Sequence, residues 1–315
     1  MRWKNRKGSK HVEDRRGESL PSGSNKGMGM AGGLGIGKIL FSLFARGSGK
    51  VKLMLIAGLV IAMVVFQFNP LSLLGGGSAT LGSNSSHEQP TPRKPAADDE
   101  YGNFLSIVTG MNQRFWETML PKHNIRFRPA KMVIYSIGTE MDDGSVADAR
   151  MGPFYLPAEE RIYIDPTFFE QMRDDFGVEG EFARAYVVSH EYGHHIQNLM
   201  GRTTALHSKH EKISKIEYNR ESVRLELHAD FLAGVFAHHD DKNFNSLDRA
   251  DILSAMKCAK AIGDDILQKR AGKRVNSDHF THGTSEQRAR WFMQGYNTGD
   301  LKVGEQIYTM DYNRL

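Results

Sequence analysis

The 315-residue chain contains a single cysteine, Cys258. No intrachain disulfide can form, so a fold held together by a disulfide framework is excluded. Cys258 stands in the stretch "ILSAMKCAKAI", whose apolar spacing predicts a buried position on a helix. The sequence also lacks any internal repeat of fixed period, which gives no sign of a repeat architecture.

Acidic residues are scarce at the start of the chain. Residues 1–52 contain about twelve Lys and Arg against about three Asp and Glu, a net charge of about +9. Because the whole chain totals +4, the remainder carries about −5. Nucleic-acid binding is one interpretation of such a segment, but Lys and Arg flanking an apolar run are explained more simply by a membrane surface. We therefore expect no nucleic-acid partner.

Charge is absent from the stretch that follows. Residues 53–68, "LMLIAGLVIAMVVFQF", would span about 24 Å as a helix, and continuation to residue 74 exceeds the roughly 30 Å of a bilayer core. The pattern predicts one transmembrane helix over residues 53–74, with a buried soluble helix and a cleaved signal peptide as alternatives. The positive-inside rule then makes residues 1–52 a basic, glycine-containing cytoplasmic tail and puts the rest of the chain outside.

Residues 75–100 are rich in Gly, Ser, Pro and charge and predict a flexible linker. In residues 101–315 apolar patterns alternate with turn signals, as in a folded domain. A β-hairpin is expected to turn at residues 157–160. Helices are predicted at residues 103–120, 166–175, 180–200, 219–238 and 246–269, and after His282. A small sheet followed by several helices indicates an α+β, mainly helical domain.

The sequence "SHEYGHH" predicts a metal-binding site on one of these helices. His190 and His194 are four residues apart, so they lie about 40° apart on one helical face and can bind one metal ion. Glu191 projects beside that ion, as in the H-E-x-x-H arrangement that binds zinc and uses the glutamate as general base. An ordinary helix with surface histidines is the alternative, but the apolar flanks "FARAYVV" and "IQNLM" favour a buried face.

A catalytic zinc site has three protein ligands and one open position. In "RLELHADFLAGVF" Glu226 can supply the third ligand, and Asp230, four residues later, can accept the N–H of a ligating histidine. His228 points about 200° away from Glu226 and is a poor ligand candidate. A solvated carboxylate pair is the other interpretation, but the apolar neighbours predict a largely buried helix.

These motifs resemble the bacterial family of neutral zinc metallopeptidases, a membrane-anchored group within the HExxH zincins. The resemblance implies a zincin-like domain that binds Zn²⁺ through His190, His194 and Glu226, with Glu191 catalytic. It covers nearly the whole chain and is carried by "MRWKNRKGSKHVEDRRG", "MGPFYLPAEERIYID", "SHEYGHHIQNLMG", "ELHADFLAGV", "AIGDDILQ" and "FTHGTSEQRARWF".

A donor to the transition-state oxyanion is also expected. His282, on a loop with Arg288 nearby, is our first candidate, because the loop resembles those that close over the metal in related zincins. A histidine that caps the last helix is the alternative, and Thr284 or Ser285 can also be that cap.

Other polar residues receive more ordinary interpretations. His195 is interpreted as a partly exposed helix residue, although it could contact Glu191. Asp264 and Asp265 are interpreted as solvated helix residues. His238 and His239 are expected at a helix C-terminus without a catalytic role.

The sequence therefore predicts a zinc-dependent peptidase acting on peptide or protein substrates, anchored as a single-pass protein in the bacterial inner membrane. A membrane-anchored scaffold with a structural zinc is the second hypothesis, and a zinc hydrolase of non-peptide amides is the third. No feature of the sequence specifies an oligomeric state.

Overall fold

The computed structural model describes residues 1–18 and 99–315, and the labels below number only the elements in these ranges. The fold is mainly helical with two small sheets. The nine α-helices of the described residues are α1 (Glu100–Met119), α2 (Thr167–Phe176), α3 (Glu181–Leu199), α4 (Arg202–His207), α5 (Lys215–Phe244), α6 (Arg249–Ala261), α7 (Asp264–Arg270), α8 (Ser285–Thr298) and α9 (Leu301–Gly304).

Four strands form the larger sheet in the order β1-β2-β6-β5. They are β1 (Val12–Asp14), β2 (Lys131–Ile134), β5 (Phe154–Leu156) and β6 (Arg161–Ile164). β1, β2 and β6 are parallel to one another, and β5 pairs antiparallel with β6 through the hairpin predicted at residues 157–160. A second, two-stranded sheet pairs β3 (Gly138–Glu140) with β4 (Val146–Asp148).

Local sequence explains where the helices of the site begin. Ser214 and Glu217 form a capping box at the start of α5, and Thr284 and Gln287 form another at the start of α8. The single helix predicted over residues 246–269 is instead two helices, α6 and α7. Gly263, between them, lies so close to the backbone of Ser285 that any Cβ there would clash, which fixes the start of α7 against the start of α8.

The basic N-terminal segment is part of the folded body. β1 pairs with β2, and the indole of Trp3 is buried against the ring of Phe104, with ring centroids 5.0 Å apart. Arg6 forms an ion pair with Asp240 near the end of α5. Residues 1–18 therefore belong to the same packed unit as the helices.

This packing corrects the prediction of a transmembrane helix and of a single-pass inner-membrane location. The predicted span, residues 53–74, lies outside the described residues, as does most of the predicted linker. No helix in the ranges 1–18 and 99–315 combines the length and the apolar surface that a bilayer crossing requires. A single span would also put the N-terminal tail and the domain on opposite sides of a bilayer, whereas the hydrogen bonds between β1 and β2 hold them together.

Candidate metal centre

Two packed helices, α3 and α5, bring the predicted ligands together. The side chain of His190 contacts that of Asp230, the side chain of His194 contacts that of Glu226, and the Gln197 amide donates to the carbonyl of Leu225. Residue numbers rise along α3 as they fall along α5, so the two helices are antiparallel at the site. This arrangement places Glu226 opposite both imidazole rings.

The distances between the donor atoms suit a tetrahedral metal. Glu226 Oε2 lies 3.2 Å from His190 Nε2, and Glu226 Oε1 lies 3.5 Å from His194 Nε2. Within residues 1–18 and 99–315 these three residues are the one group whose ligand atoms all lie within 4.8 Å of each other and could hold a metal ion. Ligands bound tetrahedrally to zinc at its usual bond lengths are about 3.3 Å apart, and zinc favours such nitrogen and carboxylate donors. The donor set therefore fits zinc.

Hydrogen bonds orient both rings. Asp230 Oδ1 lies 2.8 Å from His190 Nδ1, and Gln197 Oε1 lies 2.9 Å from His194 Nδ1. When these oxygens accept the Nδ1–H groups, Nε2 of each ring is left with its lone pair available to a metal.

Asp230 is completely buried, and its charge is balanced by a buried arginine. Arg288 donates to both carboxylate oxygens, at 2.9 Å through Nε and at 3.0 Å through Nη2. The hydroxyl of Tyr186 donates to the same carboxylate. Sequence reasoning missed Tyr186 and Gln197 and considered Arg288 only beside His282. The one available signal was the position of Arg288 among apolar residues in "RARWF".

The charged states follow from these contacts. Burial lowers the pKa of His190, but the charge of Asp230 and hydrogen bonds to Asp230 and Glu226 outweigh it and raise the pKa to about 9. Burial raises the pKa of Glu226, but the charges of His194 and His282 and the hydrogen bonds from both rings hold it well below its usual range. Glu226 is therefore a carboxylate in the metal-free protein.

Glu191 lies beside the ligand set without belonging to it. Its side chain is 9 % exposed and lines the same cavity as both imidazoles. Burial raises the pKa of Glu191, opposed by the charges of His194 and His190 and by the backbone N–H of Tyr155. A carboxylate with a raised pKa beside a metal site is suited to accepting a proton near neutral pH.

The loop that carries His282 is held by one carboxylate. Asp264 Oδ2 accepts the backbone N–H groups of Thr281 at 2.8 Å, His282 at 2.7 Å and Gly283 at 3.0 Å. Its Oδ1 lies 3.3 Å from His282 Nδ1. The interpretation of Asp264 as a solvated helix residue is therefore wrong: it is buried because it binds this loop. Asp265 is likewise engaged, accepting from the backbone and hydroxyl of Ser285.

His282 itself is buried and lines the cavity of the metal ligands. Burial lowers the pKa of His282, but the charge of Glu226 and the contact with Asp264 raise it above its usual value. Thr284 is the residue whose side chain caps α8, through the N–H of Gln287 at 3.1 Å. The alternative in which His282 is the cap is therefore excluded.

Two further buried histidines, His195 and His228, form hydrogen bonds away from the metal ligands. His195 is fully buried, contrary to the expectation of partial exposure, with Nδ1 3.0 Å from the Tyr155 hydroxyl and Nε2 2.6 Å from the carbonyl of Arg128. Both of its nitrogens are engaged, so it cannot be a fourth metal ligand. His228 lies 2.9 Å from the Tyr308 hydroxyl, and burial lowers its pKa to about 3.

His238 and His239 lie before the C-terminal end of α5. The ring of His238 contacts the carbonyl of Tyr296 at 2.6 Å, and that of His239 contacts the carbonyl of Gly299 at 2.9 Å. These contacts hold α5 against the end of α8.

The metal centre opens into a cavity of about 260 Å³. One wall is β5, the edge strand of the sheet, with the segment before it. Faces of α2, α3, α4 and α5 and the junction of α6 with α7 form the other walls, and His282 and Arg288 lie in the lining. The cavity gives a substrate a route to the metal ligands and Glu191.

The chain is similar to known proteins over nearly its whole length. The model of the family described as "Putative neutral zinc metallopeptidase" matches residues 1–306. The chain is 36 % identical over 300 residues to "Uncharacterized protein YpfJ" of Escherichia coli strain K12, covering 95 % of this chain and 96 % of that protein. It is 35 % identical over 218 residues to "Uncharacterized protein Rv2575" of Mycobacterium tuberculosis, covering 65 % of this chain and 70 % of that protein. No solved structure matches the chain.

Proposed function

The chain belongs to the family described as "Putative neutral zinc metallopeptidase", and from this premise we propose that it is a zinc-dependent peptidase that hydrolyses peptide bonds in peptides or proteins. His190, His194 and Glu226 are the proposed zinc ligands. The proposal is supported by the fit of the two Nε2 atoms and the Glu226 carboxylate to a tetrahedral ion.

In the proposed mechanism, the metal ion and the residues of the cavity have separate roles. Bound zinc supplies Lewis acidity, which polarises the scissile carbonyl and lowers the pKa of water. Glu191 accepts the proton of the attacking water and then donates it to the leaving amine nitrogen. Burial raises the pKa of Glu191, which makes its carboxylate a stronger base for the first of these transfers.

His282 is the proposed donor to the oxyanion. The carboxylate of Asp264 favours the imidazolium form of His282, in which Nδ1–H faces the Thr281 hydroxyl at 2.9 Å and Asp264 at 3.3 Å and the Nε2–H is available to the substrate. Asp230 with Arg288, and Gln197, hold the ligating rings in place. Asp264 holds the loop of His282.

The observation that carries the proposal is a His–His–Glu set that opens into a cavity and has no fourth protein ligand in the part of the chain that the structure describes. A structural zinc site is normally closed by four protein ligands. Among the described residues, His282 falls outside the group that could hold the ion, and His195 has both ring nitrogens engaged. This argues against a scaffold protein with a structural zinc.

The test compares the full-length chain with Glu191→Gln, both loaded with zinc. We expect the variant to keep one zinc per chain but to lose peptide hydrolysis by at least about a hundredfold, because general-base catalysis contributes about that much. Glu117→Gln, which changes an exposed glutamate on α1 outside the cavity lining, is the matched control and should keep full activity. Equal activity in wild type and Glu191→Gln, or cleavage confined to non-peptide amides, would contradict the proposal.

A further inference from the structure

One part of the cavity beside the metal ligands is lined mainly by apolar side chains. Its walls come from one face of α2, from α3 and from the junction of α6 with α7. The residues that line it are Phe168, Met172, Phe176, Val187, Ile262 and Leu267, and we call this space the apolar chamber. None of these six side chains carries a charge, although Gln171, on the same face of α2, also lines the cavity and has a buried Oε1 without a hydrogen-bond partner.

The chamber lies one helical turn from the proposed reaction centre. Val187 precedes His190 by three residues and Glu191 by four, a rise of about 4.5 to 6 Å along α3. Consecutive Cα atoms of a peptide are about 3.8 Å apart. The chamber is thus within reach of the substrate side chain adjoining the scissile bond.

The floor of the chamber is thin. Met172 and Val187 line not only this cavity but also a second one of about 260 Å³, between α2 and the start of α3. These two buried side chains therefore separate the two spaces. The size of residue 187 should set how deep the chamber is.

We propose that the apolar chamber is a specificity pocket for a bulky apolar side chain, of the size of Leu or Phe, next to the scissile bond. This inference rests on the proposed peptidase function and names the substrate class of the same site. A carboxylate side chain would lose its hydration among these apolar residues and gain no partner of opposite charge from them, so it binds poorly there.

The test uses the full-length, zinc-loaded protein and peptides that differ at one position. Ala, Leu, Phe, Trp or Glu is placed on either side of the cleaved bond, which is located by mass spectrometry of the products. We expect kcat/KM for Leu or Phe to exceed that for Ala by about tenfold or more at one of the two positions, because each methylene that fills an apolar pocket raises kcat/KM by about that factor. Glu should be the poorest.

Two substitutions of one residue should change this preference in opposite directions. Val187→Phe fills the chamber and should lower the Phe-to-Ala ratio by about tenfold. Val187→Ala opens the floor toward the second cavity and should raise the ratio of Trp to Leu. Leu206→Phe and Leu206→Ala are matched controls, because Leu206 lines the same cavity from α4, beyond the opposite end of α3. They should leave both ratios within about twofold.

Zinc content and the thermal unfolding midpoint identify a variant that fails to fold. Ile262→Phe and Ile262→Ala, at a less buried wall of the chamber, then replace the Val187 pair with the same expected directions. Hydrolysis without an apolar preference, or ratios that follow residue 206 and not residue 187, overturns the pocket alone. Failure to hydrolyse any peptide overturns the proposed peptidase and the pocket together.

Discussion

Asp230 connects the candidate zinc site to the interior of the protein: its Oδ1 lies 2.8 Å from His190 Nδ1 and its Oδ2 accepts from Arg288 at 2.9 Å. The carboxylate is fully buried, and burial alone would raise its pKa. The charges of Arg288 and His190 outweigh burial and lower the pKa below its usual value. Asp230 is therefore ionised and fixes the Nδ1–H form of His190, with Nε2 toward Glu226.

Replacing Asp230 with Asn should weaken zinc binding by about 10- to 100-fold, because the partner of a ligating histidine fixes its orientation and raises its basicity. Asn keeps the size of the side chain but removes the charge. Competition with a chelating dye measures the zinc affinity of the metal-free protein. The thermal unfolding midpoint should also fall, because Arg288 is left buried without its anion.

Asp240→Asn is the matched control for this prediction. Asp240 is a buried carboxylate on the same helix and also pairs with an arginine, Arg6, but it lies far from the ligands. The Asp240→Asn substitution should lower the stability of the protein without changing its zinc affinity. If both variants bind zinc as the wild type does, Asp230 does not orient His190.

The positions of the candidate ligands on their own helices could be predicted from the sequence, because they depend on helix periodicity. The spacing of His190 and His194, and that of Glu226 and Asp230, puts each pair on one face of its own helix. The apolar neighbours of each pair indicate that these faces turn inward. Only the meeting of the two faces required tertiary structure.

The residues that sequence reasoning missed depend on contacts between distant parts of the chain. Asp264 binds a loop some seventeen residues later, and its role follows only from how α7 approaches α8 at Gly263. The N-terminal charge pattern likewise predicted a separate tail. The three residues of β1 and the single Trp3 are too few to form a periodic pattern that would have indicated a folded segment. Their pairing with β2 and Phe104 is a long-range contact.

The raised pKa of His190 predicts that zinc binding releases a proton. The pKa of about 9 in the metal-free protein exceeds the unfolded value of 6.5, so His190 is protonated at neutral pH and zinc must displace that proton. Zinc affinity should rise by about tenfold per pH unit between about pH 7 and 9 from this group and then level off. Dye competition at several pH values measures the slope.

The raised pKa of His190 affects the stability of the metal-free protein in the opposite direction: stability falls as pH rises. Protonated His190 stabilises the fold fully below pH 6.5, and this contribution is lost as pH rises through 9. The unfolding midpoint of the metal-free protein should therefore fall between about pH 6.5 and 9. Asp230→Asn should make this fall smaller, because Asp230 is the main cause of the raised His190 pKa. A slope equal in wild type and Asp230→Asn would contradict the assignment.

The contacts of Asp264 predict that it acts on catalysis through His282. Asp264→Asn removes the charge facing Nδ1 and puts an amide against three backbone N–H groups, so the loop should lose its position. We expect kcat to fall by about ten- to a hundredfold with zinc content unchanged, which is less than the roughly hundred- to thousandfold loss expected when an oxyanion donor is removed outright. His282→Ala should lower kcat at least as much.

A double-mutant cycle separates this role from a merely structural one. If Asp264 works by holding His282, then Asp264→Asn should cost little further activity in a His282→Ala protein, since effects of residues that act as a unit are not additive. Asp265→Asn, the neighbouring carboxylate bound to Ser285, is the matched control and should lower stability while its effect on kcat stays small and additive. Fully additive losses from Asp264→Asn and His282→Ala would show that the two residues act independently. An unchanged kcat in His282→Ala would show that His282 has no role in the mechanism. The proposed roles of Glu191 and the zinc ligands would not be affected by that result.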